Sequence, residues 1–60
     1  MSEERLTTLR EVAVKAIHDK MTRHPDIQGQ GVRLIEMIRL GKMDYILTAV
    51  AEWAVGESKE

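Results

Sequence analysis

The run Tyr45-Ile46-Leu47-Thr48-Ala49-Val50-Ala51-Glu52-Trp53-Ala54-Val55 contains a single acid and no base. At about 100° per residue, Ile46, Val50, Trp53, Met43, Leu47, Ala54 and Ala51 fill one continuous arc of a helix, with Ala49 and Tyr45 at its edge. That arc spans about 240°, against the roughly 100° stripe that a helix on the surface of a globular protein presents to its core. Thr48, Glu52 and Asp44 share the narrow remainder with Val55. A helix apolar most of the way round must be covered on more than one side, so the rest of the chain is read as its cover.

Two further helices are available to supply it. Leu9, Val12, Ala13, Ala16, Ile17 and Met21 recur at three- and four-residue spacing, with Leu6 one turn earlier, and share a face. Glu11, Lys15, His18, Asp19 and Thr22 hold the opposite one. Ser2 suits the N-cap, Glu3 and Glu4 suit the positive end of the helix dipole, and Lys20, Arg23 and His24 suit its negative end. Pro25 disfavours the α region for His24 and stops this first helix, predicted over about 3–23. The segment 26–31 reads either as the first turn of a second helix, with Pro25 or Asp26 at its start, or as a loop around Gly29 and Gly31. From Val32 the helical pattern is clear, with Leu34, Ile35, Met37 and Ile38 on the face that carries Gly31, and Arg33, Glu36 and Arg39 outside. A glycine centred on a packing face allows a close helix crossing. Gly41 is placed as a left-handed C′ residue ending the second helix, about 27–40. Asp44 is placed as the N-cap of the third, about 44–55, with Gly56 ending it as Gly41 ends the second. Residues 57–60 form a polar tail.

The chain is all-α, one domain over residues 1–60. Sixty residues is close to the size at which a single core becomes marginal. There is no cysteine, so disulfides and thiolate zinc sites are excluded, and oligomerisation is the stabilising device that remains. A homodimer through the third helix follows, with Met43, Ile46, Leu47, Val50, Trp53 and Ala54 at its interface. Trp53 is the residue type most often found to dominate binding energy, and the alanines permit close helix approach.

Function is read largely by elimination. Nine basic and ten acidic residues give a formal charge of −1, which points to neither a polyanion nor a membrane surface. The acidic N-terminus is unlike a signal peptide, and the longest apolar run falls short of the about 20 residues that span a bilayer. A cytoplasmic protein is expected. His18 and His24 are six residues apart, about 240° around a helix, and cannot share a ligand on one. His18 sits on the polar face and His24 at a helix end, so neither is assigned a metal. Gly29-Gln30-Gly31 lacks the spacing, the following Lys and the preceding strand of a phosphate loop. Neither serine is placed for a nucleophilic triad and the acids are dispersed, so no catalytic residue, cofactor or small-molecule substrate is expected. The leading expectation is a non-enzymatic interaction or regulatory module that binds itself and another protein. The alternative is a DNA-binding regulator with a degenerate helix-turn-helix from the second and third helices, contacting phosphates through Arg33, Arg39 and Lys42.

Overall fold

The computed structural model describes residues 2–56; the polar tail 57–60 lies outside them. Among the described residues the chain is three α-helices, α1 (Glu3–Arg23), α2 (Gln28–Arg39) and α3 (Leu47–Val55), with 3-10 turns at Pro25–Ile27 and Asp44–Ile46 and no strand. None of the helices is long and apolar enough to cross a membrane.

α1 begins as its sequence requires: the Ser2 side chain accepts a hydrogen bond from the Arg5 N–H at 3.3 Å, with Glu3 and Glu4 in the first turn. Its buried stripe is Ala13, Ala16, Ile17, Lys20 and Met21, which corrects the expected face in two places. Val12 is 51% exposed, whereas Lys20, placed in the sequence reading only as a helix-end cation, is 5% exposed. The cause is that α1 packs against both other helices. Its buried stripe is centred between them, and Val12 lies about 100° away from that centre. Lys20 lies near the centre, where its methylene stem covers apolar surface. Its ammonium sits 4.8 Å from the centre of the Trp53 ring.

Contacts at both ends give the helix directions. Near the start of α1, Arg10 holds Asp44; at its end, the Arg23 guanidinium donates to the Ala54 carbonyl at 3.4 Å. α1 and α3 therefore run parallel. α2 runs against both, with Gly31 near its start lying on Met21 and Ile17 of α1. The core is built from Ala13, Ala16, Ile17 and Met21 of α1, Ile35 and Ile38 of α2, and Met43, Leu47, Val50 and Ala54 from the turn and α3. Ile17 and Ile38 are fully enclosed, and such a side chain contributes about 1.5–3 kcal/mol by leaving water.

Segment 26–31, left open between helix and loop, is helical. Pro25 stands in the first position of a 3-10 turn that leads directly into α2, where its missing N–H costs no hydrogen bond. Gly31 does mark a tight crossing, since a Cβ there would overlap the Met21 side chain. α2 ends in a Schellman motif: Gly41 has φ 77°, its N–H reaches the Ile38 carbonyl at 3.0 Å, and the Lys42 N–H reaches Met37 at 3.0 Å.

Two expectations about α3 are corrected. Asp44 does not cap it. Both carboxylate oxygens are taken by the Arg10 fork, at 2.9 and 2.6 Å, and this charge-assisted two-point contact outcompetes a single backbone N–H. α3 starts three residues later, at Leu47, without a side-chain cap. Gly56 is not left-handed: it stays right-handed, with φ −56° and ψ −35°, as Arg23 already satisfies a carbonyl of the last turn.

Candidate interaction surface

Because α1 covers one side of α3 and α2 runs oppositely beside it, the apolar arc of α3 is divided. Met43, Leu47, Val50 and Ala54 are buried within the chain itself, and Ile46 is partly buried against the same core. Trp53 is 41% exposed, and Ala49, Val55 and Tyr45 are exposed with it. Of the residues assigned to a self-association surface, Trp53 is thus the one that still offers a large apolar area to a second molecule.

Trp53 forms one wall of a groove between α2 and α3, lined also by Gln30, Leu34, Ala49 and Val50, with a volume of about 240 Å³. Three things position the indole. α3 points it across the groove toward α2, Lys20 holds a cation against its ring, and Ala49, one turn earlier, leaves the floor open. The groove contains no charged side chain in its lining. Its rims are charged differently: α2 exposes Arg33 and α3 exposes Glu52.

A second and larger concavity, of about 480 Å³, lies between α1 and α2 and is lined by Thr7, Arg10, Glu11, Val14, Lys15, His18 and Arg39. It continues past His18 and Arg39 into a smaller one with Val32, Ile35, Glu36 and Leu40. The larger concavity carries three bases, Arg10, Lys15 and Arg39, against one acid, Glu11, and Glu36 adds a second acid in its continuation. Its strongest ionic contact is already made internally, by Arg10 with Asp44. Hydrogen bonding from Arg10 holds the Asp44 carboxyl below its ordinary value, outweighing the upward push of partial burial, and the Arg10 charge adds to the effect. Among the described residues, no three His, Asp or Glu side chains gather where they could hold a metal ion.

Of the basic residues of the duplex-binding alternative, Arg33 and Arg39 do not share one face of α2. Arg33 and Arg39, six residues apart on α2, point about 120° apart. Arg39 belongs to the α1–α2 channel and Lys42 to the turn after Gly41. The outer face of α3 carries Thr48, Ala49 and Glu52 and no base.

Comparison with known proteins gives no assignment. No family model matches the chain, and neither does any curated protein or solved structure.

Three participants were missed from sequence. Lys20 had a signal, since it continues the 13–16–17–20 spacing of the buried face. Gln30 and Leu34 had none, because which flank of α2 meets α3 depends on the rotation fixed by the Gly31 crossing.

Proposed function

We propose that this chain is a non-enzymatic, cytoplasmic interaction module that self-associates through the Trp53 groove and α3, and as a dimer binds another protein. The observation that carries the reading is the half-exposed Trp53 at the edge of an uncharged groove. A large aromatic ring on an open apolar floor is the usual centre of a protein–protein contact. The size of the chain supports it, since a domain of this length has little core of its own. So do the small residues Thr48 and Ala49 on the outer face of α3, which let another helix approach closely.

The test is the oligomeric state across a dilution series by light scattering, for the native chain, Trp53→Ala and Ala49→Glu. Ala49 is exposed in the single chain, so a glutamate there charges the groove floor while leaving the core intact. Dimer formation by the native chain is expected. Loss of a central tryptophan should cost at least about 2 kcal/mol of association, roughly 30-fold. A native chain that remains monomeric at millimolar concentration, or two variants that associate as the native chain does, would reject the proposal.

A further inference from the structure

Arg33 and Glu52 stand on opposite rims of the same groove. Around each helix, at about 100° per residue, Arg33 lies about 60° beyond Gln30 on the outer side of α2, and Glu52 about 60° beyond Ala49 on the outer side of α3. Along the helices they lie within about one turn of each other. Arg33 falls between Gln30 and Leu34, Glu52 falls between Ala49 and Trp53, and those four residues line one groove between helices that run in opposite directions. Arg10 is paired with Asp44; Arg33 and Glu52 do not pair with each other across the groove. Each is exposed.

A groove with a basic rim and an acidic rim is complementary to itself in one orientation. We infer that the occupant of the Trp53 groove is a second copy of this chain, related by a two-fold axis along the groove, with Arg33 of each copy paired to Glu52 of the other. This rests on the self-association proposed above and adds its geometry. Rotation about an axis along the groove lays α2 of one copy antiparallel on α3 of the second, so both charge pairs form at once. The two Trp53 rings then fill the channel between four helices, with each α1 on the outside. Rotation about an axis across the groove would instead set α2 on α2 and α3 on α3, placing Arg33 on Arg33 and Glu52 on Glu52. Like charges in contact disfavour that arrangement. Closed two-fold pairing also uses the whole surface and leaves no free edge for further copies.

The experiment is a charge reversal and its rescue, read as the dimer dissociation constant by sedimentation equilibrium. Arg33→Glu and Glu52→Arg should each weaken the dimer about tenfold or more, because every dimer contains the altered contact twice. The double variant Arg33→Glu/Glu52→Arg restores both pairs and should return to within about threefold of the native value. An equimolar mixture of the two single variants should form the mixed dimer in preference to either homodimer. On the unaltered chain, raising sodium chloride from about 0.05 to 0.5 M should weaken association, since rim charges are screened. A native dimer whose single variants bind equally well, or whose double variant is weaker than both, overturns the pairing and leaves self-association standing. A native chain that stays monomeric overturns both.

Discussion

A Cβ at position 31 has nowhere to go. It would meet the Met21 thioether and approach the Ile17 methyl at 3.3 Å, whereas a Cβ at position 29, two residues earlier on the same helix, meets nothing within 4 Å. The two glycines therefore predict opposite outcomes for similar changes. Gly29→Ala should stabilise the fold, by up to about 1 kcal/mol, through the lower backbone entropy of the unfolded chain. Gly31→Val should destabilise it by about 1–3 kcal/mol by pushing α2 off α1. Urea denaturation midpoints check both, and a neutral Gly31→Val would mean that the crossing is looser than described. At this scale much was legible in the sequence. Gly31 sits on the apolar face of α2 and Gly41 just after it, and each has the role its position implies. Lys20 and Asp44 were misread because a charged side chain near a helix end has a local partner in the dipole or the backbone. In both cases a partner on another helix won, the Trp53 ring for Lys20 and the Arg10 fork for Asp44.

The Arg10–Asp44 contact joins the N-terminal half of α1 to the turn that launches α3, across 34 positions of sequence. It registers the two parallel helices at one end as Arg23 does at the other. The Asp44 carboxyl titrates below its ordinary value when folded, so its contribution is fully present above the unfolded carboxylate pKa of about 4 and is lost as pH falls through the lower folded value. Asp44→Asn should accordingly unfold at lower urea than the native chain at neutral pH, with the gap closing as both are acidified below the unfolded carboxylate pKa and through the lower folded one. An unchanged gap across that range would show that the charge on Asp44 does not contribute. The extents of α1 and α2 were readable because Ser2, Pro25 and Gly41 act within one turn of the chain. The start of α3 was not, because the residue that would have capped it is engaged by a helix more than thirty positions away.

The whole body measures 33 × 24 × 14 Å. Two packed helix layers span roughly 13–15 Å between outer Cα atoms, so no residue lies more than one helix from the surface. Fold class was legible because an apolar arc as wide as that of α3 demands cover from within the chain, and α1, which packs most extensively on α3, provides most of it. The groove was not, since it arises from the angle at which α2 leaves α3 uncovered beside Trp53. A body this thin should gain stability from association. Its melting temperature is expected to rise by several degrees as concentration increases from micromolar to millimolar, by mass action, and calorimetry across that range decides it. A melting temperature independent of concentration would assign the stability to the single chain.

Trp53 is the sole tryptophan of the protein, and it stands where α2, α3 and Lys20 meet. The tryptophan fluorescence of this molecule is therefore the fluorescence of one wall. Anything that seats there and displaces water from the ring will shift its emission to the blue without an attached dye, and a change at the far channel between α1 and α2 will leave the spectrum still.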